Sequence, residues 1–168
     1  MSVLVAYSTR FGYTKKTAEL IAERLRLAGK TVDTADARKV NQAQIDGHSS
    51  FVVGSSIAAG QWKGPAKRLL GRLAGAGKPV AVFVSAGGVM TGKKPGSAPD
   101  APPEGTIEER QAEAVRLFAQ PVCAALGLKP VAQSAFGGRM AFFGKEMFNS
   151  WDARPVETWA DSLAGTLS

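Results

Sequence analysis

The sequence predicts an α/β domain built on a parallel sheet with crossover helices, and three observations carry that prediction. Apolar, β-branched runs recur at residues 3–7, 32–35, 51–54, 80–84 and 131–136. Helix-like stretches lie between them, so strands and helices alternate along the chain. The first, third and fourth runs are apolar on both faces, as happens when helices cover both sides of a sheet, and these three are the expected central strands.

The helix ends are written in the sequence. Ala18, Ile21, Leu25 and Ala28 give the first helix one apolar face, and Gly29 stops it. A weaker helix around residues 42–45 sits between the second and third strands. Gly64 and Pro65 start the third helix, Leu69, Leu70 and Leu73 pack it, and Gly75 ends it. The fourth opens with Thr106 and Glu109, a capping-box pair, runs through Ala112, Val115, Leu117, Phe118, Val122 and Leu126, and stops at Gly127. The last has Pro155 in its first turn and Trp159 and Leu163 one turn apart. Five strands and five helices follow. Between the fourth strand and its helix lies a Gly- and Pro-rich loop at about residues 86–105, of a length that marks a lid, a binding loop or a disordered stretch.

At 168 residues and 45% hydrophobic content, one domain with a substantial core is expected. The apolar runs are far shorter than the roughly 18 residues that span a bilayer, and "MSVLVAYS" lacks the basic start of a signal peptide, so the expected location is the cytoplasm. Cys123 is the only cysteine, and no Cys or His cluster has metal-ligand spacing, so no metal is expected. The net charge of +7 favours anionic partners: nucleic acid, lipid headgroups or acidic small molecules. The basic residues are scattered and no nucleic-acid motif is present, which ranks nucleic acid below the other two.

After the first strand comes "STRFGYT", residues 8–14. Ser8, Thr9 and Thr14 supply hydroxyls around Gly12, which takes the positive φ of a tight turn. The following helix points its unpaired N–H groups and positive dipole end back at the same spot. That is an anion site, with neither the Lys of a Walker motif nor the three glycines of a dinucleotide fingerprint, so a monophosphate is favoured. The other reading of the same residues is that they cap a helix.

"YSTRFGYTKKTAELIAE" resembles the phosphate-binding loop of the flavodoxin family, whose hydroxyl-rich pattern around one Gly grips the phosphate of FMN. More narrowly, residues 8–14 resemble the flavodoxin-like menaquinone-dependent protoporphyrinogen oxidases, as do "VVGSSIAAGQWKGPAKRLL" and "FGGRMAFFGKEMF". The resemblance covers essentially the whole chain. It implies a flavodoxin-like doubly wound three-layer sandwich with a five-stranded parallel sheet of order 2-1-3-4-5. It further implies that Ser8, Thr9, Arg10, Phe11, Gly12, Tyr13 and Thr14 hold the phosphate of FMN, and that Ser56, Ile57, Ala58, Ala59 and Gly60 lie along the isoalloxazine. Ser85, Ala86, Gly87 and Gly88 would form the third wall. Physical reasoning points to the same place, because open α/β sheets bind ligands where the first and third strands diverge. Ala58 and Ala59 stand where this group leads one to expect larger polar or aromatic residues, and Trp62 is either the ring's stacking partner or simply packed.

The remaining candidates are weaker. A phosphoacceptor of receiver type needs acidic residues where Ser8 and Ser55 stand, and a Ser hydrolase needs a late His, whereas His48 precedes the third strand and reads as a surface or loop residue. Cys123 lies in an Ala- and Leu-rich helix and reads as core. In "RMAFFGKEMFNSW", Phe143, Met147 and Trp151 fall at helical spacing, with Phe142, Phe148, Arg139 and Lys145 around them. This is either a connection packed under the last helix or a surface for a membrane or hydrophobic reductant, to which Lys93 and Lys94 would add charge. The expected function is an FMN-dependent oxidoreductase passing reducing equivalents from an organic, possibly anionic substrate such as protoporphyrinogen to a quinone or other redox partner, with no catalytic residue identified. The alternatives are a flavodoxin-type electron carrier, whose usual acidic face this composition lacks, and an interaction module.

Overall fold

The computed structural model describes residues 2–167. Its strands are β1 (Ser2–Ser8), β2 (Thr31–Asp36), β3 (Ser50–Ala58), β4 (Gln61–Trp62), β5 (Val80–Ser85), β6 (Ala132–Phe136), β7 (Arg139–Phe142) and β8 (Lys145–Asn149). Its helices are α1 (Tyr13–Leu27), α2 (Gln42–Gly47), α3 (Gly64–Ala74), α4 (Gly87–Met90), α5 (Ile107–Ala114), α6 (Gln120–Ala125) and α7 (Ala153–Thr166). The five long strands run parallel in the order β2-β1-β3-β5-β6, which is the expected 2-1-3-4-5 when they are numbered alone, and β4 pairs antiparallel with β3.

The central strands are the expected three, and the reason is burial: residues 3–6, 51–53 and 80–84 are all at most 1% exposed. Alternate side chains feed two separate cores. One, under α3 and the segment from α5 to α6, holds Leu4, Phe51, Val53, Leu69, Leu70 and Val82; the other, under α1 and α7, holds Val3, Ile21, Leu25, Val52, Phe83 and Leu163. Gly54 on β3 is opposite Phe83 on β5, and a Cβ added there would land on the Phe83 ring. The missing side chain lets that ring lie across the sheet, where it meets Phe136 and Trp159 at centroid distances of 5.9 and 6.2 Å.

Several expectations are corrected. The fourth helix is interrupted: a π-helical turn over Val115–Ala119 separates α5 from α6. Pro121 has no N–H and its ring crowds the carbonyl four residues back, so regular geometry fails just before it. Its start is as read, with Thr106 Oγ1 accepting from Glu109 N at 3.1 Å. The Phe-rich segment is not a helix. It is the hairpin β7–β8, turned by Phe143 (φ +49°) and Gly144 (φ +76°), so Phe143, Met147 and Trp151 share no helical face. Trp151, beyond the hairpin, packs on α1 rather than under the last helix, donating from Nε1 to Thr17 Oγ1 at 2.9 Å. His48 caps the C-terminal end of α2 and is 9% exposed, its ring nitrogens pairing with Gln44 O at 2.6 Å and Asp33 Oδ2 at 2.8 Å. Cys123 is buried, as expected, and burial pushes its thiol pKa up.

Because Phe83 is held on all sides, Gly54→Ala is expected to destabilise the protein by about 1–3 kcal/mol through overpacking, read as a lower urea midpoint with an unchanged slope.

Candidate functional site

At the carboxyl end of β1 the chain turns sharply into α1. Gly12 takes φ +88° at the N-cap, and Thr9 Oγ1 accepts from Gly12 N at 2.9 Å, which fixes the turn. The first helical bond runs from Lys16 N to Gly12 O, so the N–H groups of Tyr13, Thr14 and Lys15 have no helical acceptor. Ser8, 4% exposed, has a buried Oγ with no partner. The first turn of α1 has no acidic residue, while Arg10, Lys15 and Lys16 put positive charge where the helix dipole is already positive. An anion resolves both the unsatisfied donors and the charge repulsion, so the loop fits a phosphate.

Thr14 ties this loop to the neighbouring strands. Its hydroxyl, on a residue 1% exposed, bonds Ser56 Oγ at 2.6 Å and Ser85 Oγ at 2.9 Å, and Arg10 N donates to Ser56 Oγ at 3.1 Å. The first turn of α1 and the carboxyl ends of β3 and β5 are thereby joined through three hydroxyls. The Arg10 guanidinium lies over the rings of Phe11 and Phe142, at 5.1 and 5.8 Å, and so links the loop to the β7–β8 hairpin.

The two other predicted walls differ from expectation. Residues 56–60 are not a loop: β3 continues to Ala58, and Ala59 (φ +50°) and Gly60 (φ +75°) turn it into β4. Ala59 and Phe143 are the two non-glycine residues at positive φ among the described residues, and both stand at hairpin turns. Gly87 and Gly88 begin the helical turn α4 within the expected loop, although glycines are poor helix formers. Met90 of that turn is buried, and Phe148 covers Gly87, which leaves no space for a Cβ. Trp62 is not available to a ring: it is 7% exposed and its Nε1 donates to Phe118 O at 2.7 Å.

A crevice of about 40 Å³ is lined by Arg10, Phe11, Tyr13, Thr14, Ser56, Ile57, Ser85 and Gly87, all predicted, together with Gly138, Arg139, Met140 and Phe148, which were not. Ala58, Ala59 and Gly60 line neither this crevice nor the larger cavity beside it. The hairpin side chains Arg139, Met140 and Phe148 bound this small crevice on one side. The larger cavity, about 1130 Å³, shares Met140 and Phe148 with the crevice and is bounded by Gly88, the loop after α4, Ile107 and Arg110. Its size is at the upper end for small-molecule sites. The helical spacing of Phe143, Met147 and Trp151 hides the hairpin in the sequence, and Phe-Gly is not one of the dipeptides that signal a two-residue turn.

The crevice has no carboxylate or His, only Arg10, Tyr13 and Arg139 among ionisable groups, and no group of three metal-ligating side chains occurs among the described residues.

The flavodoxin domain family model matches residues 4–148. Protoporphyrinogen IX dehydrogenase (quinone) of Escherichia coli strain K12 is 31% identical over 62 residues, which are 37% of this chain and 34% of that protein. The match spans about a third of that curated relative's length. An archaeal flavodoxin structure aligns over 99% of both chains with a TM-score of 0.59 and 19% identity, and the C101A mutant of Pseudomonas aeruginosa flavodoxin over 99% of both with a TM-score of 0.59 and 14% identity. At these identities the two structures establish the fold.

Thr14→Val is expected to cost about 1–3 kcal/mol of stability, because it leaves Ser56 and the buried Ser85 hydroxyl short of a partner; chemical unfolding checks it.

Proposed function

The chain belongs to the flavodoxin domain family, whose cofactor is FMN, and from that premise we propose that it is an oxidoreductase passing reducing equivalents from an organic substrate to a quinone or another acceptor. The observation that carries the reading is the cavity of about 1130 Å³ sharing a wall with the crevice. A carrier that only exchanges electrons needs an exposed cofactor edge, whereas an enzyme needs room for a second molecule against it. The name of the E. coli relative, which pairs protoporphyrinogen with a quinone, supports the finer form in which protoporphyrinogen is the substrate.

In this reading Ser8, Thr9 and Thr14, with the N–H groups of residues 13–15, hold the phosphate, and Arg10, Phe11, Gly12 and Tyr13 shape the turn around it. Ser56 and Ile57 lie along one side of the ring, and Ser85, Ala86, Gly87 and Gly88 along another, while Ala58, Ala59 and Gly60 only turn the chain away from it. FMN, when bound, accepts a hydride or single electrons. The chain's own contribution is to orient the ring, exclude water through the hairpin, and present main-chain groups to it. The second reading is an electron carrier, favoured by the end-to-end alignment with flavodoxins. The hairpin tip also carries Phe142, Phe143 and Met147, 43%, 108% and 57% exposed, beside Lys145. With the +7 charge, these residues suit peripheral contact with an anionic membrane. No helix among the described residues is long and apolar enough to cross one.

Anaerobic reductive titration of the FMN-loaded protein, followed in the visible spectrum, decides between the readings. Bleaching in one two-electron step supports the enzyme, and two resolved one-electron steps support the carrier. The Thr9→Val/Thr14→Val double variant is expected to bind FMN more weakly by several kcal/mol at most, about 0.5–3 for each lost bond to the charged phosphate; an unchanged affinity overturns the phosphate loop. Cosedimentation with anionic liposomes at low salt is expected and should weaken in Phe142→Ser/Phe143→Ser; absence of any sedimentation removes the membrane contact.

A further inference from the structure

Resting on the FMN reading above, we propose that the cavity between the 91–105 loop and the hairpin binds an apolar organic acid, and that Arg110 is the residue that holds its acid group. Met90, Ile107, Phe136, Met140, Met147 and Phe148 give this cavity a largely apolar lining, suited to the body of such a molecule. The polar lining includes the cations Lys93, Lys94 and Arg110 and one carboxylate, Asp152. Three of these four are already engaged. Lys93 Nζ donates to Pro99 O at 2.6 Å, Lys94 pairs with Glu104 at 3.6 Å, and Asp152 caps α7 by accepting from Arg154 N at 3.0 Å.

Arg110, like Lys93, is half-buried with no carboxylate partner among the described residues, and what sets Arg110 apart is how its guanidinium is held. Its Nη1 donates to Met90 O at 3.1 Å and its Nη2 to Gly105 O at 3.2 Å, so two main-chain carbonyls fix the plane of the guanidinium. Its Nε is cut off from solvent without an acceptor. A guanidinium has five N–H donors, and two are committed here. A partly desolvated cation without a counter-charge is costly, and a carboxylate in the cavity offsets that cost with charge-assisted hydrogen bonds. The two carbonyls also make Arg110 a staple between the start and the end of the loop, so the group that would hold the ligand holds its roof as well. Met140 and Phe148 wall both spaces, so the cavity that Arg110 lines adjoins the crevice proposed for the ring.

The test uses two fluorophores of one skeleton, 1-pyrenebutyric acid and 1-pyrenebutanol, titrated by calorimetry into the protein with and without added FMN. The acid is expected to bind roughly tenfold or more tightly than the alcohol, as charge-assisted hydrogen bonds give. In Arg110→Gln that preference should vanish while the affinity for the alcohol is kept. Equal affinities in the unmodified protein, binding of neither compound, or a preference that survives Arg110→Gln each overturn the assignment. Should Arg110→Gln lose both ligands, Arg110→Lys decides: a retained preference supports the role of the charge, and any other result overturns it. FMN titrated into the same samples reports separately on the flavin reading, so acid binding without FMN binding overturns that reading and leaves the Arg110 site standing.

Discussion

Three parallel strands, β1, β3 and β5, are removed from water on both faces, and the rest of the structure follows from that constraint. A sheet apolar on both sides needs helices on both sides, and parallel strands need crossovers to supply them. The chain first winds from β1 outward to β2, then returns past β1 to β3 and on to β5 and β6. At the point of reversal the loops after β1 and β3 diverge, and the crevice opens between them. The residues lining it come from the turn between β1 and α1, the first turns of α1 and α4, the ends of β3 and β5, and the stretch from Gly138 through the hairpin after β6.

The crevice is held by short polar links. In the core on the α1–α7 side of the sheet, Trp159 packs edge to face on Phe83 and Phe136, and the absence of a side chain at Gly54 makes room for Phe83. At the crevice, hydroxyl hydrogen bonds of Thr14, Ser56 and Ser85 join the first turn of α1 to the ends of β3 and β5. The hairpin is fastened on the other side by Ser150, whose Oγ donates to Gly87 O at 2.9 Å, and by Trp151 on Thr17. Nearer its tip, the contact of the Arg10 guanidinium with the Phe142 ring at 5.8 Å ties the hairpin to the loop of residues 8–14.

Charge is distributed to the same end. Arg10, Lys15 and Lys16 surround the turn, and Arg110, Lys93 and Lys94 line the neighbouring cavity, whereas the long-range ion pairs that brace the fold, such as Arg24 with Asp161 at 2.7 Å, lie on the α1–α7 side. A field of this sign draws anions toward the carboxyl ends of the strands. It is the common physical basis of the phosphate loop and of the Arg110 assignment, although the two rest on different residues.

Periodicity and punctuation in the sequence determined the five long strands, their parallel winding, the helix ends at Gly29, Gly75 and Gly127, and the turn around Gly12, because each rests on local rules of burial and backbone freedom. The same local rules misread the stretch from Arg139 to Asn149, where Phe143 and Met147 have helical spacing but Gly144 permits a tight hairpin, and nothing nearby in sequence chooses between them. Tertiary packing chose: Phe148 covers Gly87, sixty-one positions earlier, and Gly87 has no Cβ to obstruct it. Pro121 shows the converse, a local signal present in the sequence that breaks an otherwise regular apolar period. The cavity and the role of Arg110 depended wholly on the tertiary structure, since an Arg reads as an ordinary solvated charge until the fold encloses its Nε and supplies carbonyls but no carboxylate.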